Sequence, residues 1–91
     1  MRLAIAQKRL IEFTYDDARR VAEPHDYGRR NGIDKLLVYQ RKKGGNYKIG
    51  WRSIEVSKLE DLVIRDDTFA GSRNEPHQHH IVWDVLYARV E

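Results

Sequence analysis

The sequence predicts an α+β domain: five short antiparallel strands that curl into a small β-barrel, with one helix before them and one after. Three observations carry this expectation. Between Leu10 and Ile64, several short runs alternate apolar and polar residues, the period of half-buried strands. Near both ends the apolar residues recur at helical spacing. The chain has 91 residues and no cysteine, which suits one domain with one core and no help from disulfides.

Taken in order, residues 1–9 read as a helix, because Leu3, Ala6 and Leu10 share a helical face and Ala4 and Gln7 are good helix formers. Ile11, Phe13 and Tyr15 alternate with Glu12 and Thr14, so this run is a strand. Asp16-Asp17 has turn composition, and Arg20–His25 returns as a second strand that Pro24 ends or confines to an edge. Asp26–Gly32 reads as a loop closed by the tight-turn pair Asn31-Gly32. Lys35–Gln40 is a third strand, and the polar stretch Arg41–Gly50 with Gly44-Gly45 is a hairpin loop. Trp51–Val56 is a fourth strand, Ser57-Lys58 a short helical turn, and Leu59–Ile64 a fifth strand. Residues 10–65 therefore form the barrel. Pro76 suits a helix start, and Trp83, Leu86, Tyr87 and Val90 recur at i, i+3, i+4 and i+7, which predicts a C-terminal helix over residues 75–90.

Charge is unevenly placed. Residues 1–58 carry 14 Lys/Arg against 7 Asp/Glu, whereas residues 59–91 carry 3 against 7, for a net charge of +3. The basic bias favours anionic partners: nucleotides, nucleic acid or acidic protein surfaces. An ordinary solvated surface explains it equally well. The absence of cysteine and of any long apolar run suggests a cytoplasmic protein with no membrane segment.

The segments Arg20-Val21-Ala22-Glu23-Pro24-His25, Lys35–Gln40, Trp51–Leu59 and Asp67-Thr68-Phe69, in this order and spacing, resemble the WYL domain. The resemblance covers roughly residues 3–70. Lys35, Leu36 and Leu37 stand where the family has its Trp-Tyr-Leu triplet, and the family's helix-turn-helix is missing, so the chain looks like a diverged, stand-alone WYL-like domain. The resemblance implies an Sm-like or SH3-like β-barrel and a regulatory role, in transcription for the family. Such a domain would bind a nucleotide or nucleic-acid fragment and signal to a separate effector protein.

The candidate ligand-binding residues are Arg20, His25, Tyr27, Tyr39, Gln40, Trp51 and Arg52. Arginine presents a planar fork of donors that matches phosphate or carboxylate, and neighbouring rings stack on a base. Arg52 leads this set; the alternative for it is a structural ion pair with Glu23 or Glu55. Tyr39 and Trp51 also suit the core or its rim. The basic loop Arg41-Lys42-Lys43 with Tyr47 and Lys48 could touch phosphates or guard a sheet edge. In the group His77, His79 and His80, the pairs His77/His80 and His80/Asp84 have helical spacing, but the pattern fits no common zinc motif, so neither metal nor cofactor is expected. His25 with Asp26, or His80 with Asp84, could be an acid–base pair. No nucleophile elbow or phosphate loop accompanies either, and the chain is not expected to be an enzyme. Two further readings remain open: a protein–protein or homodimer module, with Trp83 and Tyr87 as anchors, and an Sm-like RNA binder.

Overall fold

Two tight turns set the register of the sheet. Asp16-Asp17, with φ of 48° and 59°, joins the paired residues Tyr15 and Ala18. Asn31-Gly32, with φ of 52° and 75°, joins Arg30 and Ile33. Two consecutive left-handed residues make the turn whose twist matches the flanking strands, and Asp, Asn and Gly tolerate it best. In a computed structural model of the chain, residues 1–75 and 81–91 are described. They form helix α1 (Arg2–Ala6), strands β1 (Arg9–Tyr15), β2 (Ala18–Arg30) and β3 (Ile33–Lys43), strand β4 (Gly50–Glu55), one turn of 3-10 helix (Val56–Lys58), and strands β5 (Glu60–Thr68) and β6 (Val85–Arg89).

The strands make one antiparallel sheet in the order β4-β3-β2-β1-β5, with β6 also paired to β2. β2 has thirteen residues and two neighbours on the same edge in succession. β1 pairs with it from Ala18 to Ala22, and β6 pairs with it from Asp26 to Arg29. Pro24 falls in the gap between them, at a bulge opposite β3 where Pro24 pairs with Val38 and Asp26 with Leu37. A residue with no N–H fits there because no strand on that edge needs its donor. Strand β2 therefore runs through Pro24 rather than ending at it, and Asp26–Arg30 is strand rather than loop.

The C-terminal helix expected over residues 75–90 is not formed at its apolar residues: Val85–Arg89 is strand β6. Val85, Leu86 and Tyr87 have strand propensity, and the free edge of β2 beyond Ala22 supplies ladder partners that an isolated helix would lack. The sheet accordingly has six strands, not five. It is not a closed barrel, because β4 and β5 stand at opposite ends of the strand order.

Ala4 and Ile5 of α1, Leu10, Ile11 and Phe13 of β1, Ala22, Leu36, Val38 and Ile54 meet in one buried cluster, joined by Phe69 and Val90. No helix among the described residues is long and apolar enough to cross a membrane. Glu23, Tyr39 and Trp51, which alternate with core-facing residues such as Ala22 and Val38, point to the other side of the β2–β3–β4 sheet.

Candidate functional site

Glu23, Tyr39 and Trp51 are direct cross-strand neighbours on β2, β3 and β4, so strand alternation alone puts them on one face. Arg41 follows Tyr39 by two residues and faces the same way. His25 belongs to this face as well. Its Nε2–H donates to Glu23 Oε1 at 3.1 Å, and its ring lies 4.7 Å from that of Trp51 and 5.4 Å from that of Phe69. Arg73 completes the group from the irregular segment that follows β5.

Glu23 is the centre. It is 1% exposed and accepts four hydrogen bonds. One comes from His25; the others come from Arg73 Nε at 2.9 Å, Arg73 Nη2 at 2.7 Å and Arg41 Nε at 2.9 Å. Burial pushes its carboxyl pKa up, but the hydrogen bonds from His25, Arg73 and Arg41 outweigh burial and bring it down to about 2. The same pairing raises the Arg73 guanidinium, although burial opposes it. Arg73 also lies 3.6 Å from the centre of the Tyr39 ring, a cation–π contact. Tyr39 meets Trp51 edge-on at 5.1 Å, and Trp51 Nε1 donates to Glu75 at 3.1 Å. Guanidinium, phenol ring and indole thus form a continuous stack over one buried carboxylate.

This cluster forms one wall of a surface groove of about 480 Å³. Tyr39, Arg41 and Arg73 line that wall, Lys42, Tyr47 and Ile49 come from the β3–β4 hairpin, and Arg65 and Asp67 come from β5. A bulge aims the β5 groups. Between the pairs Ile11–Ile64 and Arg9–Thr68, β1 advances two residues and β5 four. Arg65 there makes a two-bonded pair with Asp67, at 2.8 and 3.0 Å, and reaches Glu12 at 3.1 Å. Its Asp67 bond raises the Arg65 guanidinium and lowers the Asp67 carboxyl. Lys42 Nζ sits 4.9 Å above the Tyr47 ring, and Tyr47 is 76% exposed. From Lys35 to Ile54 the chain has six Lys/Arg and no Asp or Glu, so the hairpin carries no acid of its own to offset its positive charge.

Of the seven residues expected to bind ligand, the structure brings His25, Tyr39 and Trp51 together. Arg20 and Gln40 form a separate buried pair. Arg20 donates to the Tyr15 carbonyl at 3.1 and 3.0 Å and to Gln40 at 3.0 Å, and Gln40 donates to the Lys48 carbonyl at 2.9 Å. That pair holds the first turn and the β3–β4 hairpin in place. Tyr27 packs on Tyr87 at 4.8 Å, beside β6. Arg52 is exposed and donates to the carbonyl of Trp51 at 2.8 Å. Its expected ion-pair partners are engaged elsewhere, Glu23 by Arg41 and Arg73 and Glu55 by Lys58. Arg20, Tyr39 and Arg52 therefore do not converge. The group that does converge is Glu23, Arg41 and Arg73. Arg41 was read only as part of the basic loop, and the bulge between the pairs Ala22–Gln40 and Val21–Lys42 interrupts the alternation there; Arg73 had no local signal, because it meets Glu23 across 50 residues of sequence.

His25 pairs with Glu23 and not with Asp26. Asp26 is fully buried and held by Trp83 and Arg89. His77, His79 and His80 lie outside the described residues. Among the described residues no three His, Cys, Asp or Glu side chains are grouped to hold a metal ion. Compared with known proteins, the chain matches no family model, no curated protein and no solved structure.

Proposed function

We propose that this protein is a non-catalytic, WYL-like ligand-sensing domain that binds an anionic ligand, a nucleotide or nucleic-acid fragment, in the groove between the Glu23 cluster and the β3–β4 hairpin, and signals its occupancy to a separate partner. The observation that carries the reading is two guanidiniums gathered on a single buried carboxylate, on the wall of a groove that also holds the exposed ring of Tyr47. Two guanidiniums share Glu23, the hairpin adds Lys42, and exposed Tyr47 offers a stacking surface next to them. The strand order β4-β3-β2-β1-β5, with a single 3-10 turn between β4 and β5, supports an open Sm- or SH3-like arrangement. Catalysis is disfavoured by the state of the best acid–base pair. His25 and Glu23 are both buried, and a carboxylate held ionised by two arginines is a poor proton acceptor.

Titrating nucleotides and short oligonucleotides while following Trp51 fluorescence tests the reading. Wild type binds, and Arg73→Ala, which removes a cation from the groove wall and a partner that holds Glu23 in place, weakens binding by about tenfold or more. Equal affinity in the two proteins removes the site. The acid-free hairpin favours a second reading, an Sm-like RNA-binding protein. That reading requires several phosphate contacts, so its affinity would fall steeply with salt, whereas a small ligand gives a shallow slope.

A further inference from the structure

Resting on the groove reading above, we propose that the groove takes a small amphiphilic anion with one oxyanion head and an apolar or aromatic body, that the head seats on the terminal Nη1/Nη2 edge of Arg41, and that Glu23 is the positioning residue that aims this edge.

The argument starts from which donors are already engaged. Arg73 places Nε and Nη2 on Glu23 and holds Nη1 3.6 Å from Glu75. Arg65 places Nε and Nη2 on Asp67 and Nη1 on Glu12. Arg41 donates only its Nε, to Glu23. Among the described residues that line the groove, Arg41 is thus the guanidinium whose Nη1/Nη2 edge makes no hydrogen bond, although the Asp67 carboxylate feels its charge. That edge matches the two oxygens of a carboxylate or a phosphate monoester.

Charge sets the size of the head. Glu23 is shared by Arg41 and Arg73, and Glu75 answers Arg73 on its outer side, while Arg65 is answered by Asp67 and Glu12. Among the described residues no carboxylate is bonded to the exposed Lys42, and Arg41 shares its carboxylate with Arg73. Two neighbouring charges suit one phosphate monoester or one carboxylate, not a polyphosphate. The body has its own surface: Leu10 and Val21 at the base, with Ile49 (63% exposed) and Tyr47 (76% exposed) along the hairpin. Tyr39 is not free to stack, because Arg73 covers one side of its ring and Trp51 meets it edge-on. A volume of about 480 Å³ accommodates a small molecule.

Glu23 is too deeply buried to touch a ligand. It acts by fixing the Arg41 side chain, which is itself 41% exposed and would otherwise sample many rotamers. Fixing it beforehand removes that ordering cost from binding.

Calorimetric titration of the full chain with AMP, phenylacetate, adenosine, inorganic phosphate and a twelve-base oligothymidylate tests this. AMP or phenylacetate binds best, and which of the two binds tells phosphate from carboxylate as the head. Adenosine, with no head, and phosphate, with no body, each bind about tenfold or more weaker. Glu23→Gln and Arg41→Gln each reduce the preference for AMP over adenosine about tenfold or more, and Arg41→Lys, which keeps the charge but loses the fork, is intermediate. Should Glu23→Gln fail to fold, the partly exposed Arg41 variants carry the test. Equal losses of AMP and adenosine in Glu23→Gln would reduce Glu23 to a structural role and overturn the positioning claim. If the oligonucleotide binds tighter than AMP and Arg41→Gln leaves it unchanged, the groove reading stands and this one fails. If wild type binds none of the probes, both fail.

Discussion

Glu23 and Asp26 lie on the same strand, on either side of the bulge at Pro24, and both carboxylates are buried. Each is tied to arginine and has an aromatic neighbour. Asp26 accepts two bonds from Arg89, at 3.0 and 3.1 Å, and one from the Trp83 indole at 3.1 Å. Glu23 accepts from two arginines and a histidine. Among the described residues one guanidinium is paired with Asp26 and two with Glu23. The Arg89 pair fastens β6 to β2, so Asp26 is a clamp. Two guanidiniums share Glu23, and both line the groove. The strand partners differ too: Arg89 and Trp83 belong to β6 and its approach, while Arg41 belongs to β3 and Arg73 to the segment after β5.

Four measurements break or sharpen this contrast. The largest effect is expected from Glu23→Ala, which leaves Arg41, Arg73 and the fully buried His25 without their common partner. Losing one member of a buried charge cluster costs about 3–5 kcal/mol, read by urea unfolding. A loss under about 1 kcal/mol would mean that the arginines simply rehydrate. Acid titration comes next. The Glu23 carboxyl is depressed from 4.5 to about 2, so its contribution is complete above pH 4.5 and disappears as the pH falls through about 2. Its size is on the order of 3 kcal/mol. Stability that stays level between pH 5 and pH 2 would contradict the Glu23 network.

Gly28→Ala probes the other carboxylate's neighbourhood. A Cβ there would lie 2.5 Å from the Val85 carbonyl oxygen and 2.6 Å from the Trp83 ring. Overpacking of this kind costs about 1–3 kcal/mol. Hydrogen exchange should rise in β6 first, with ligand affinity unchanged; a loss of affinity instead would show that clamp and groove are coupled. The smallest effect belongs to Arg52→Ala. An exposed side chain bonded only to its neighbour's carbonyl is worth under about 0.5 kcal/mol, and neither the melting temperature nor binding should move. A clear drop in binding would restore Arg52 to the site.

The local features were legible. Asp16-Asp17 and Asn31-Gly32 lie at the two hairpin turns, and Ser57-Lys58 lies in the 3-10 turn, because backbone preference at such positions is decided within a few residues. The alternation of Ile11, Phe13 and Tyr15 marked β1 for the same reason. The strand Val85–Arg89 was misread as helix because Trp83, Leu86, Tyr87 and Val90 satisfy helical spacing. Their actual partners, Gly28 and Arg29 among them, are more than 50 residues away.

The residue order alone settled where the chain turns, which early runs are extended, and that positive charge gathers in its first two-thirds. These properties are local or additive. It could not settle which arginine matters. Arg20, Arg41, Arg52 and Arg73 are chemically identical, and each becomes a turn support, a groove donor, a surface group or a stacking cation only through the carboxylate, carbonyl or ring that folding brings beside it. A guanidinium's role depends on what remains unanswered around it, and that count exists only once distant strands have met.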